Sequence, residues 1–277
     1  MIIDLSFVRE LVRRFQKDEI SRLSAELAYF FVLSLFPFLI FLFTLLAYLP
    51  IPHEDVLSLV REYAPKEALH VIETNIHTMM DQQNGKLLSF SIIATIWSAS
   101  NGINAIVRAF NRAYDVKENR SFIVARGMSV LLTFAMISVI VVALVLPVFG
   151  KVIGHFLFSA FGFSSEFLVV WNTFRWVVSS VILFIVFTAL YYFAPNKRLR
   201  IKDVTSGALF ATIGWMVVSL AFSYYVGNLV NYTVMYGSLG GIIVLLIWFY
   251  LSGLIIVLGG EMNAIFARRR EGRIYER

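Results

Sequence analysis

The stretch "VLGGEMNAIFARRR", Val257 to Arg270, closes an apolar run that begins near residue 238. A glycine pair, a glutamate and an asparagine appear just before three consecutive arginines. A carboxylate about a turn and a half inside the end of a lipid-soluble helix needs a partner or water, because an ionised side chain at mid-bilayer costs about 2.5–3.5 kcal/mol on insertion scales. Two questions follow: how many such helices the chain has, and what Glu261 meets.

The 277 residues are 59% hydrophobic, 16% aromatic and only 15% charged, with a mean hydropathy of +0.77. That balance excludes a soluble domain of this size and defines a multi-pass membrane protein. An apolar helix of about 20 residues crosses about 30 Å of hydrocarbon. Six stretches meet that length, at about 27–49, 87–110, 127–150, 174–194, 204–226 and 238–267. The expected fold is all-α and polytopic, with six transmembrane helices.

Cytoplasmic loops retain Lys and Arg. With the amino terminus inside, the inner segments hold all but five of the 24 cations, and the exceptions are Arg61, Lys66, Lys86, Lys151 and Arg175. Both termini are therefore expected in the cytoplasm. The pI near 9.5 reflects this orientation first and attraction to anionic headgroups second; no nucleic-acid partner is expected. The first span is too long for a cleaved signal and should act as an uncleaved anchor.

Residues 1–26 read as an interfacial amphipathic helix on the inner leaflet. Leu5, Val8, Leu11, Val12 and Phe15 lie on one face, with Arg9, Arg13, Arg14 and Lys17 around the other. Residues 27–267 form the six-span domain, including a short helical outer cap at about 50–86, and 268–277 a basic cytoplasmic tail. The cap is too small for an independent catalytic domain. Small-residue stripes on the second, fifth and sixth spans predict an inner bundle of those three, since close backbone approach drives packing in lipid. Pro37 should bend the first span. Gly259 and Gly260 should let a neighbour approach the sixth, and both sites are candidate kink or gating points. The uncharged Tyr224–Gly241 connection is expected to dip into the outer leaflet.

The second span places Asn101, Asn104, Arg108 and Asn111 at steps of 3, 4 and 3, on one face descending toward the cytoplasm. With Glu261, Asn263 and Glu26 these residues are the candidate substrate path, and Arg108 or Arg268 is the expected partner of Glu261. A structural clasp is the alternative reading. Arg175, beside Trp171 and Trp176, marks the outer interface. The four histidines (His53, His70, His77, His155) fall on the predicted outer side. His70, Glu73 and His77 read as a solvated helix face rather than a zinc site. With zero cysteines and no nucleotide, hydrolase or metalloprotease signature, no metal, no cofactor and no enzymatic activity are expected.

Four stretches carry a resemblance: "AELAYFFVLSLFPFLIF", "TIWSASNGINAIVRAFNRAYDVKENR", "YYFAPNKRLRIKDVTSGALFATIGW" and "YGSLGGIIVLLIWFYLSGLIIVLGGEMNAIF". In order and over nearly the whole chain they resemble the YihY/BrkB family of bacterial inner-membrane proteins, historically labelled ribonuclease BN. The resemblance implies a six-span fold, with envelope integrity, serum resistance or lipid transport as suggested roles, and brings no catalytic residues. The resulting expectation is a lipid flippase that moves an anionic phospholipid or polyprenyl lipid, driven downhill or by a proton carried on Glu261 or Glu26. The alternative is a non-transporting envelope scaffold.

Overall fold

In a computed structural model, residues 4–46, 48, 84–134, 165–228 and 240–272 are described. They form α1 (Leu5–Lys17), α2 (Ile20–Leu46), α3 (Gly85–Tyr114), α4 (Phe122–Phe134), α5 (Ser165–Phe193), α6 (Ile201–Asn228) and α7 (Gly240–Arg270), with no strand among the described residues. Five of these helices, α2, α3, α5, α6 and α7, are long and apolar enough to cross a membrane, and α4 is a shorter apolar helix. The chain is an all-helical, multi-pass membrane protein. The outer cap, the third span beyond Phe134, the four histidines, most of the Tyr224–Gly241 connection and the Arg175 side chain lie outside the described residues.

Local chemistry sets the helix ends. Asp4 caps α1 by accepting the Phe7 backbone N–H at 2.9 Å. Glu19, at φ 54°, turns the chain through the left-handed region, and α2 starts one residue later. α1 ends at Lys17 and α2 begins at Ile20, so residues 20–26 of α2 precede the residue-27 start expected for the first span. Asp115, at φ 56°, ends α3 in a Schellman arrangement. Its N–H donates to the Arg112 carbonyl, and the Val116 N–H to the Asn111 carbonyl at 2.9 Å. After α5 comes Pro195, which has no N–H to continue the helix. There the Arg120 guanidinium donates to the carbonyls of Ala194 at 3.2 Å and Pro195 at 2.9 Å, a cation at a helix C-terminus.

α7 is the central helix: α6, α2, α3 and α1 all pack on it. Its glycines explain how. A Cβ on Gly253 would stand 3.2 Å from the Ser24 carbonyl of α2; one on Gly260 would stand 2.6 Å from the Phe110 ring of α3. On Gly259 it would fall 2.2 Å from the Tyr191 hydroxyl of α5, and on Gly207 of α6 2.1 Å from the Gly259 carbonyl. These helices approach at backbone distance. The inner bundle differs from expectation in one respect: α2 belongs to it, and α3 and α6 each pack on α7. Glycine is the wider signal here, but Leu23 and Leu27 of α2 also lie in the core, and no small-residue stripe marked them. α7 runs helical through Gly259–Gly260 and α2 through Pro37.

α2 and α6 start, and α3, α5 and α7 end, at the same end of the bundle. The contacts of Asp4 with Arg269, Asn111 with Asn196 and Lys197 with Glu271 place both chain ends and most of the arginines there. We call it the basic end.

Candidate functional site

The polar residues singled out in the sequence divide into two groups. Glu261 and Asn263 are fully buried, on the packed side of α7. Asn263 accepts the Gly207 backbone N–H at 2.7 Å and donates to the Val204 carbonyl at 3.1 Å, clasping α6. Glu261 accepts from Arg14 Nη1 at 2.9 Å, while its Oε1 has no partner among the described residues. The cation that meets Glu261 is therefore Arg14 of α1, not Arg108 or Arg268. Arg14 is itself 3% exposed and also donates to the Ala113 carbonyl at 3.1 Å and to Glu10 at 2.9 Å.

This contact docks one face of α1 on α7. Phe7, Leu11, Arg14 and Asp18, at steps of 4, 3 and 4, share one helical face. Phe7 stacks on Phe266 of α7 with ring centroids 4.7 Å apart. Leu5, Val8 and Val12 remain exposed on the other side, where lipid would meet them. The spacing of Arg14 from Phe7 and Leu11 was the signal for this, and counting all four basic residues as one polar face concealed it.

The second group follows the outward face of α3. Trp97 is 61% exposed, Asn101 and Asn104 are half-buried, and Arg108 is exposed, while Ile103, Ala105, Ile106 and Val107 between them are buried. Each polar residue of the row has a local partner. Asn101 accepts from Arg126 of α4 at 2.8 Å, and the Arg126 guanidinium lies 4.1 Å from the Trp97 ring centroid. Asn104 accepts from Ser129, and Arg108 pairs with Glu26 of α2. Asn111, one turn further, is buried and joins Glu118 at 2.9 Å and the Asn196 N–H at 2.6 Å. The residues of the candidate substrate path do not converge on one place. α7 presents Glu261 to α1, and α3 turns Asn101 and Arg108 away from it.

At the basic end the row leads into a cavity of about 340 Å³ beneath α1. Arg13, Arg14, Lys17, Arg112, Lys117 and Arg268 line it, against Glu10, Asp18 and Asp115. From Trp97 to Arg112 the row extends over about 22 Å of helix, most of a bilayer's hydrocarbon thickness.

Ionisation outside the spans follows the contacts. The Arg269 guanidinium, with help from the Phe7 N–H and the Ser6 hydroxyl, pulls the Asp4 carboxyl from 3.8 down to about 2. Arg22, by hydrogen bond and charge, and then Arg112 hold Glu19 below its usual range. Burial works against the charged forms of Glu10 and Arg14, but Arg13 and Arg14 outweigh it at Glu10, which is lowered, and Glu261 and Glu10 outweigh it at Arg14, which is raised. A depressed carboxylate stabilises the fold fully above its unfolded value and loses that contribution as pH falls through the folded one. The tie between Asp4 and Arg269 should thus persist down to about pH 4 and be lost between 3.8 and about 2. Protection of the amides in the first turn of α1, taken relative to the intrinsic exchange rate at each pH, should fall over that window, and Asp4→Asn should show the lower protection already at neutral pH. Protection that is high, constant across that window and equal in both proteins would refute the assignment.

Five membrane-length helices, one of them a central span on which three of the others and α1 pack, with a polar row that ends in a cationic cavity, define a helical multi-pass membrane protein. The chain belongs to the family described as virulence factor BrkB, whose profile matches residues 11–276. It is 56% identical over 267 residues to the putative ribonuclease-like protein YfkH of Bacillus subtilis, covering 96% of this chain and 97% of that one. It is also similar to membrane proteins designated UPF0761: 25% identical to one from Alteromonas mediterranea, covering 95% of this chain and 88% of that one, and 28% identical to one from Pseudoalteromonas atlantica, covering 94% and 85%. No solved structure matches.

Proposed function

We propose that the chain moves an anionic lipid or lipid-linked substrate between the leaflets of a bacterial inner membrane, with its basic end and both termini in the cytoplasm. The supporting observation is the polar row of α3. Polar and charged side chains at membrane depth are expensive, and these stand on a half-exposed face rather than in the packed core. A headgroup entering at the cationic cavity would exchange contacts along Arg108, Asn104 and Asn101 while its acyl chains stay in lipid. Glu261 and Asn263 do not line this route; their part is to hold α1 and α6 on α7. No enzymatic step belongs to this reading, and the ribonuclease-like name of the Bacillus relative is not carried over to this chain.

The test is movement of a fluorescent phosphatidylglycerol in proteoliposomes, read by reductant quenching of the outer leaflet. Wild-type protein should accelerate movement well above empty vesicles. Arg108→Ala should slow it about tenfold, the worth of one charge-assisted contact of about 1.4 kcal/mol. Stability should change by no more than about 1 kcal/mol, since the pair with Glu26 is largely exposed. Wild-type vesicles that behave like empty ones would remove the proposal.

A second reading, a scaffold without transport, draws on one observation: every polar residue of the row already has a protein partner, as a static clasp between α2, α3 and α4 would require. Under it, Arg108→Ala would disturb helix packing and leave lipid movement at the vesicle background in both proteins.

A further inference from the structure

We propose that the cavity beneath α1 is a binding site for a phosphate group carrying at least two negative charges, a phosphomonoester or a diphosphate, held chiefly by Arg14, Lys17 and Lys117. The proposal deepens the lipid-handling reading and rests on it only for the ligand's being lipid-borne; the phosphate chemistry stands on the cavity itself.

Charge makes the first argument. Six cations line the cavity against three carboxylates; the buried Glu261 behind Arg14 lowers the excess from three to two, and Glu19, 3.3 Å from Arg112, is balanced by its own partner Arg22. The carboxylates are already engaged. Glu10 lies 2.7 Å from Arg13 and 2.9 Å from Arg14, Asp18 lies 3.6 Å from Arg112, and Asp115 lies 3.9 Å from Arg268. Lys17 and Lys117 have no carboxylate partner among the described residues, and they supply the excess. A phosphodiester with one charge would leave half of it unbalanced, whereas a dianion closes it.

Donor geometry makes the second. Arg14 is nine-tenths buried and uses Nε for Glu10 and Nη1 for Glu261 and the Ala113 carbonyl. Its Nη2 has no acceptor among the described residues. The guanidinium is therefore fixed in place by three contacts with one nitrogen still available in the cavity wall, the preorganised arrangement that favours a tetrahedral anion over mobile surface lysines alone. Lys17 approaches from the end of α1 and Lys117 from the segment after α3, so the donors converge from two separate elements. A cavity of about 340 Å³ admits one or two phosphate groups and excludes a whole lipid, whose acyl chains would remain outside.

The test uses the full chain in nanodiscs of phosphatidylcholine doped with either phosphatidic acid, a phosphomonoester, or phosphatidylglycerol, a phosphodiester. Lipid retained on the protein is counted by native mass spectrometry at about pH 8, above the second phosphate ionisation near 6. In parallel, inorganic pyrophosphate is titrated calorimetrically into protein in undoped discs. Phosphatidic acid should be retained at least about tenfold over phosphatidylglycerol. The double variant Lys17→Gln/Lys117→Gln, altering two exposed side chains, should lose that preference with an unchanged unfolding temperature. Pyrophosphate binding without phosphatidic acid retention, lost in the same variant, would assign the site to a soluble phosphate ester and keep the chemistry. Equal retention of the two lipids with no pyrophosphate binding, or a double variant that binds like wild type, would overturn the proposal. Phosphatidic acid binding without any leaflet-to-leaflet movement would sink the transport reading alone, and movement with no phosphomonoester preference would sink this one alone.

Discussion

Replacing Arg14 by alanine is expected to destabilise the protein by about 3–5 kcal/mol, the cost of leaving one member of a buried ion pair without its partner. The variant would leave Glu261, 0% exposed, with no cation in contact and the Ala113 carbonyl one donor short. Glu261→Ala should cost a similar amount from the other side. Glu261→Gln should cost less, because the amide oxygen can still accept from Nη1. The double variant Arg14→Met/Glu261→Met, apolar and of similar volume, should recover much of the loss, as paired buried charges are often no better than well-packed methionines. Unfolding in detergent, followed by helical circular dichroism, measures all four. A single Arg14→Ala variant as stable as wild type would show that α1 is not held by this pair. The pair also ties the stability of the membrane bundle to a helix that lies outside it. Loss of Arg14 should therefore free α1 to exchange rapidly, whereas the Arg108→Ala change should not.

The second large effect is expected at the contact between α6 and α7. Gly207→Ala would drive a methyl to 2.1 Å from the Gly259 carbonyl and 2.4 Å from Asn263 Nδ2. The first of these is backbone, so a helix must shift. Overpacking of this kind costs about 1–3 kcal/mol, and the shift would also strain the hydrogen bonds that Asn263 makes to Gly207 and Val204, each worth about 1 kcal/mol. A total near 3 kcal/mol, or failure to fold, is the expected result. Gly127→Ala on α4, where nothing lies within 4 Å of the added atom, serves as the control and should be neutral or slightly stabilising through helix propensity. Equal unfolding temperatures for Gly207→Ala and wild type would mean that α6 and α7 do not approach as described.

Much of the fold was legible because hydrocarbon imposes its own length and polarity rules. Five of the six expected spans coincide with helices long enough to cross, and the starting helix α1 was visible in its periodicity. Partner choice was not legible. Glu261 needed a cation, and arginines from α1, α3 and α7 could all be placed at its depth by counting residues. Only helix rotation decides between them: Arg108 sits on the face of α3 that carries Trp97 and Asn101, away from α7, while Arg14 shares a face with Phe7. Depth is written in the sequence along one dimension, whereas facing depends on how the helices settle against one another. For the same reason the row of α3 was identified as a unit and its surroundings were not. Asn101 and Asn104 turn to Arg126 and Ser129 of α4, a pairing that no residue spacing indicates. The cavity beneath α1 was equally hidden, since its cations come from four separate segments.

The division of the polar residues into a dry clasp and a half-exposed row can be measured directly, because the chain contains no cysteine and single cysteines can be introduced without a background. Asn101→Cys and Asn104→Cys on the row, and Ser252→Cys and Ala264→Cys in the packed core, would be reacted in membranes with a small charged thiosulfonate. The account predicts labelling at 101 and 104, slowed as bound anionic lipid is added, and no labelling at 252 and 264. Labelling confined to 252 and 264, or the same rate at all four positions, would contradict it.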